Sequence, residues 1–297
     1  MSEKNSNEKT TGWLLPDAKP GSLAPGLYIV ATPIGNLGDM SLRALDVLAA
    51  VDEILCEDTR VSGKLLKHFG LRKTLCVYND HSDESQRAQI LSRIENGEAL
   101  ALVSDAGMPL VSDPGYKLVR ALRDADLYVT SIPGANAPLA ALQLSGLPAD
   151  AFSFIGFLPP KKGARQAVLA AWKDAPGTLL AFETAPRLKG ALEDVAETLP
   201  GRRVAVVREI TKLYEEVRMA LPEELLLHYE AQGGPKGEIV LVIEPAPTRV
   251  YTQSELEAML KDSLETMSTK KAAADVAART GHSKTQLYDL ALKVEKK

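Results

Sequence analysis

A chain of 297 residues with 45% hydrophobic and 25% charged side chains has what a packed core needs, which excludes collagenous, low-complexity and wholly disordered classes. Its length predicts about two domains, and a net charge of −4 excludes a histone-like binder of polyanions. The charge is uneven, with +4 on residues 268–297 and −8 on the rest, so a polyphosphate partner is expected at the tail.

Residues 1–24 are polar, broken by Pro16, Pro20 and Gly21, and read as a mobile arm. Lys4 and Lys9 precede no apolar block, so no signal peptide is expected and the location expected is cytoplasmic. From Leu27 apolar strands alternate with amphipathic helices. Strands are predicted at 27–32, 53–57, 75–79, 99–105 and 127–134, and helices at 41–50, 62–69, 83–95 and 116–123. Strands apolar on both faces predict a largely parallel sheet covered by helices, giving a first α/β domain over 25–147. The uncharged stretch 127–149 is long enough for a membrane span. Pro133, Gly134, Pro138, Gly146 and Pro148 make it strand, loop and short helix instead, so no membrane partner is expected.

The pattern restarts with strands at 152–158, 178–184, 203–210, 214–220 and 238–245. The third and fourth lie three residues apart, too close for a crossover, which predicts an antiparallel hairpin and hence a mixed sheet in a second α/β domain over 148–246. Pro245 and Pro247 mark a linker to a small basic helical domain over 247–297. Thr252 and Ser268 are its expected N-caps, and Gly281 divides its last two helices as in a helix-turn-helix. A helical cap is the alternative. Cys56 and Cys76 lack CxxC spacing and read as buried reduced thiols, and the four histidines form no ligand pair, so no metal is expected.

Chemistry-bearing residues gather at the ends of the first-domain strands, where open α/β sheets hold ligands. The loop Thr32 to Asp39 (TPIGNLGD) matches neither GxGxxG nor GxxxxGK[ST], so a dinucleotide or P-loop phosphate is poorly supported. SDAGMPLVSDPG (104–115) concentrates two Asp, two Gly and two Pro, and PGANA follows the last strand at 133–137. Three such turns on one sheet edge predict a ligand cleft in which small residues allow close backbone approach and carboxylates hold an ammonium or a ribose hydroxyl.

VATPIGNLGDMSLRAL, CEDTR, SDAGMPLVSDPG, PGANAPLAAL, FIGFLPPK, FETAPRL and REITKLYEE, in this order over about residues 27–245, resemble the ribosomal RNA small subunit methyltransferase I branch of the tetrapyrrole methylase superfamily. The resemblance implies a two-domain α/β homodimer holding S-adenosylmethionine between its domains. The implied reaction is 2′-O-methylation of a cytidine in the decoding region of small-subunit rRNA, expected within the assembled or nearly assembled small subunit, with naked RNA as the alternative substrate. By the same resemblance the cofactor would meet Pro33, Ile34, Ser104, Asp105, Met108, Asn136, Ala137, Glu183 and Ile210. The first loop lacks the GxGPGDP pattern of the tetrapyrrole-modifying relatives, which argues against a porphyrinoid substrate.

A ribose hydroxyl is a weak nucleophile and calls for a base or cation nearby. Candidates are Glu57 to Arg60 at a strand end, with Asp58 and Arg60 foremost, and Arg208, Glu209, Lys212 and Glu215 on the hairpin, with Lys212 foremost. Asp105 is expected to be a buried, hydrogen-bonded charge. Lys161, Lys162 and Arg165, and the loop 78–86, read either as solvated surface or as RNA contacts. A same-fold methyltransferase acting on a small molecule or protein, and a non-catalytic ribosome-binding factor, remain as other readings.

Overall fold

The computed structural model describes residues 23–79, 82–247 and 251–295. Most of the expected N-terminal arm, residues 80 and 81 of the loop 78–86, and the last two lysines lie outside them. The chain divides into two compact units, Met1–Pro245 and Ala246–Lys297.

The larger unit begins with β1 (Gly26–Val30), α1 (Leu42–Ala50), β2 (Glu53–Cys56), α2 (Thr59–His68), β3 (Leu75–Val77), α3 (Glu84–Glu95), β4 (Ala99–Val103), α4 (Tyr116–Asp124) and β5 (Val129–Ile132). The strands form one parallel sheet in the order β3-β2-β4-β1-β5. Alternate residues of each strand serve different cores, which is why the strands are apolar throughout. Tyr28, Val30, Ile54, Ala101 and Val103 pack with α1, while Leu27, Leu55, Leu100 and Leu102 pack with Ile90 and Ile94 of α3 and Leu118 and Leu122 of α4. Each fully buried Leu contributes roughly 1.5–3 kcal/mol.

The strand order decides where a ligand can enter. The chain leaving β1 crosses β4 to reach β2, whereas the chain leaving β4 crosses β1 to reach β5. Loops at the carboxyl ends of these adjacent strands therefore depart in opposite directions and open a crevice between them.

The helix α5 (Ala137–Ser145) follows, capped by Asn136 and ended by Gly146 at φ +69°. The second sheet contains β6 (Phe152–Phe157), β7 (Thr178–Thr184), β8 (Val204–Arg208), β9 (Glu216–Ala220) and β10 (Glu238–Ile243), with α6 (Lys162–Ala171), α7 (Leu188–Thr198) and α8 (Pro222–Ala231). Its order is β6-β7-β10-β8-β9, parallel only between β6 and β7. One face packs on its own helices, and the other, through Leu180, Ala205, Val207, Val240 and Val242, packs on Ala141 and Leu142 of α5. Through α5 the first half of the chain supplies part of the second sheet's core.

Several expectations are corrected. Helix α2 starts at Thr59 rather than Ser62, because the Asp58 carboxylate accepts the Arg60 backbone N–H at 2.7 Å and caps it earlier. The β8–β9 strands are shorter than expected and joined by residues 209–215, where Glu209 and Thr211 take positive φ and end the ladder. Arg165 is no surface cation: it is 6% exposed, and its Nε donates to Asp194 Oδ2 at 2.6 Å. It projects into the packing of α6 on α7, where a guanidinium persists only beside a carboxylate. Lys162 pairs with Glu197 at 3.1 Å. Cys56 is buried, while Cys76, on edge strand β3, is only half-buried.

The smaller unit is α9 (Gln253–Leu264), α10 (Thr269–Thr280) and α11 (Lys284–Glu295) around Leu256, Leu260, Ala273, Val276, Leu287 and Ala291. Thr252 and Glu255 form a capping box on α9, and Gly281 ends α10 at φ +70°. Ser268 occupies the N-cap of α10 without a side-chain bond. Among the described residues no helix is long and apolar enough to cross a membrane.

Candidate active site

The loops at the switch point are stitched together. Thr32 N donates to Gly107 O at 2.8 Å and Gly107 N to Thr32 O at 3.1 Å. Thr32 Oγ1 donates to Ser104 O at 3.1 Å and Ser104 Oγ to Gly107 O at 3.1 Å. Gly107 has φ +85°, and a Cβ there would stand 3.2 Å from Ile34 Cγ2, so the backbone approaches Ile34 as only glycine allows. Leu110 and Ser112 also take positive φ, a cost that the surrounding turn must hold in place.

The β8–β9 connection faces this loop from the second sheet. Thr211, a β-branched residue at φ +63°, donates its Oγ1 to Asp39 Oδ2 at 2.8 Å and its backbone N–H to Glu215 Oε2 at 2.6 Å. Lys212 Nζ donates at 2.9 Å to both Glu209 Oε1 and Glu238 Oε2. Its stem lies so close to Gly35 that a Cβ there would come within 2.5 Å of Lys212 Cγ. The Lys212 ammonium and the Glu238 backbone N–H hold the Glu209 carboxyl below its ordinary range. Burial works against the Lys212 ammonium, but its two carboxylate bonds outweigh burial and raise its pKa.

Between these walls lies a cavity of about 440 Å³. Ile34, Asp105, Met108, Asn136, Ala137, Glu183 and Ile210 line it, whereas Pro33 and Ser104 are not among the lining residues. Asp105 is exposed rather than buried, since it lies on the open carboxyl end of the sheet, and its Oδ1 accepts the Asp58 N–H at 3.3 Å. Glu183 is 2% exposed and held by Arg187, whose Nε stands 2.9 Å from Oε1 and whose Nη2 donates to Oε2 at 3.2 Å. Asn136 joins two functions, capping α5 through Leu139 N at 2.9 Å and placing Nδ2 3.8 Å from Met108 Sδ.

Asp58, Arg60 and Lys212 are not among the lining residues. Asp58 caps α2 and is gripped by Arg60, Nη2 to Oδ2 at 2.5 Å, which lowers its pKa to about 2. The Arg60 side chain is otherwise 86% exposed. From the same quartet Glu57 lines the cavity, and Lys212 reaches it only through Glu238. The sequence reading missed the apolar wall formed by Phe182, Val240 and Val207. These three stand in register across β7, β10 and β8, a row invisible until the pairing is known.

The electrostatic character of the cavity is one-sided. Glu57, Asp105, Asp113, Glu183 and Glu238 line it, and among the described residues no Lys, Arg or His does. Such a site favours a ligand with positive charge and an apolar ring and disfavours one led by phosphates. No group of His, Cys, Asp or Glu among the described residues could hold a metal ion.

Residues 26–225 match the family model described as Tetrapyrrole (Corrin/Porphyrin) Methylases, and residues 252–295 match that of the RsmI C-terminal HTH domain. Curated relatives include ribosomal RNA small subunit methyltransferase I of Erythrobacter litoralis, 51% identical over 92% of this chain and 96% of its own. The protein of that name from Mesorhizobium japonicum is 46% identical over 90% of this chain and 91% of its own. Among solved structures, diphthine synthase aligns with TM-score 0.54 at 15% identity, covering 73% of this chain and 89% of its own. The methyltransferase CobJ aligns with TM-score 0.53 at 19% identity, covering 76% and 97%. At such identities these structures speak for the fold alone.

Proposed function

The chain belongs to the tetrapyrrole methylase family and, within it, to the ribosomal RNA small subunit methyltransferase I branch, and from that premise we propose that it methylates the 2′-hydroxyl of a cytidine in the decoding region of small-subunit rRNA with S-adenosylmethionine as donor. The observation that carries the cofactor is the cavity whose lining, among the described residues, holds five carboxylates and no basic side chain. A sulfonium and an ammonium suit that field, and the row Phe182, Val240 and Val207 offers an apolar surface to an adenine ring. Ile34, Met108, Asn136, Ala137 and Ile210 would enclose the ligand between the sheets, with Asp105 and Glu183 as its polar holds.

When bound, the donor supplies a methyl already activated by the sulfonium. What remains for the protein is to hold a ribose hydroxyl in line, which alone is worth about 7–11 kcal/mol in favourable cases, and to manage the hydroxyl proton. We assign to the rim the charge support of the alkoxide that forms as this proton leaves to solvent: Arg60, held by Asp58 at the end of β2, and Lys212 on the β8–β9 connection. Support comes from their position, since Asp58 N bonds lining Asp105 and Lys212 bonds lining Glu238. Arg60, with its guanidinium largely in solvent, is suited to phosphate as well.

The same reading gives α10 and α11 an electrostatic role toward rRNA, supported by the +4 charge of residues 268–297. It takes the nearly assembled small subunit as substrate and the cytoplasm as the location. It also makes the protein a homodimer, which suits the exposed Val217 and Met219 on edge strand β9 and Leu221 just after it. Calorimetric titration with S-adenosylmethionine tests the cofactor reading. One site per chain is expected, weakened by Asp105→Ala in a protein that stays folded, and no binding to the wild type refutes it.

A further inference from the structure

One cavity-lining side chain, Phe157, is an aromatic ring open to solvent. The chain is poor in aromatic residues, 5% overall with five Phe, yet Phe154, Phe157 and Phe182 stand together. Ring centroids lie 4.9 Å apart between Phe154 and Phe182 and 5.0 Å apart between Phe157 and Phe182. Phe182 is half-buried, but Phe157 is 56% exposed while lining the cavity.

Its position comes from a local irregularity. Phe154 pairs with Leu180 on β7, so a regular ladder would set Gly156 opposite Phe182. The register slips by one residue and sets Phe157 there instead. Gly156 accommodates the bulge at φ +71°, and a Cβ on it would come 3.6 Å from Ser112 Oγ, beside the acidic turn. Bulges of this kind re-aim side chains next to sites. Here the bulge brings an aromatic face to the rim of an acid-lined cavity.

We propose that Phe157 is the stacking platform for the target nucleobase, an inference that rests on the rRNA reading above. Glu183 and Glu238 occupy Arg187 and Lys212, and among the described lining residues no cation is left to grip a phosphate, so the part of the nucleotide that enters the cavity is gripped through uncharged groups while phosphates stay at the rim. The π-face of a base is such a group, and a base offered to an enzyme from structured RNA leaves its own stack and needs another. Phe182 packs against the Phe157 ring at a tilt of 49°, which restrains that ring before the base arrives. The exposure of the ring favours the base that comes from solvent over the adenine of the donor, for which the wall of Val207, Val240 and Phe182 lies deeper.

The test compares Phe157→Leu and Phe157→Trp with the wild type in methyl transfer to small subunits from cells lacking the enzyme, together with calorimetry of S-adenosylmethionine. Phe157→Leu should lower kcat/KM for the subunit about 5- to 100-fold, Phe157→Trp should retain most of it, and donor affinity should stay within about twofold in both. A loss of donor affinity matching the loss of transfer assigns the ring to adenine and overturns the proposal. So does wild-type transfer by Phe157→Leu, or a Phe157→Leu protein whose loss of activity tracks a changed oligomeric state. A wild type that binds the donor but leaves subunit RNA unmethylated refutes the rRNA reading itself, and the proposal falls with it.

Discussion

Replacing Arg187 by Met probes the second-sheet wall of the cavity. Arg187 neutralises Glu183, whose carboxylate is 2% exposed, and also donates to the Leu158 carbonyl. Removing one partner of a buried pair typically costs about 3–5 kcal/mol, and because the Arg187 side chain is 29% exposed, the low end, about 3 kcal/mol, applies. At roughly 2–4 °C per kcal/mol for a unit of this size, the melting temperature should fall by about 6–12 °C. The double variant Glu183→Gln/Arg187→Met leaves no buried charge, and Gln keeps an oxygen for the Thr184 N–H that Glu183 accepts at 2.8 Å. It should therefore regain more than half of the loss in a calorimetric melt. An unchanged melting temperature in Arg187→Met, or a double variant less stable than the single one, refutes the reasoning.

Other expectations follow from the same geometry. Asp58 should titrate near pH 2 by NMR, and Arg60→Ala should return it toward 3.8. Because its folded pKa is depressed, the α2 cap persists above the ordinary carboxylate range and is lost only as pH falls through about 2, but in Arg60→Ala, which keeps the backbone N–H bonds to Asp58 and loses the guanidinium, the loss should come at a higher pH. Arg165→Ala strands the Asp194 carboxylate, 1% exposed, and should destabilise by about 3–5 kcal/mol in denaturant unfolding, with no change in the salt dependence of RNA binding. Truncation after Pro247 should preserve donor binding, weaken binding to small subunits and flatten the slope of log affinity against log salt by about 0.9 for each phosphate that the helices of the smaller unit neutralise.

Much of this architecture could be read from the chain because its signals are local. Runs such as ALALV, buried at every position of β4, announce a central parallel strand, and Thr252 and Gly281 mark helix ends by chemistry that needs no tertiary context. The turn around Asp105 was legible for the same reason. What stayed hidden depends on partners distant in sequence. Arg165 reads as a surface cation until Asp194 is placed beside it, 29 residues on. The row of Phe182, Val240 and Val207 exists only once three strands are in register, and the slip that turns Phe157 to the cavity leaves only Gly156 as a trace. Glu57 and Asp58 differ by one residue, yet strand alternation and capping give one the cavity and the other the helix end.

The central claim is a methyl transferred to a ribose hydroxyl of rRNA, and nucleoside analysis after transfer measures it most directly. Small subunits from cells lacking the enzyme are incubated with the protein and labelled S-adenosylmethionine, and the rRNA is digested, analysed by mass spectrometry and mapped. The account predicts one 2′-O-methylcytidine in the decoding region. Label on a base, on ribosomal protein, or on no component of the subunit contradicts it.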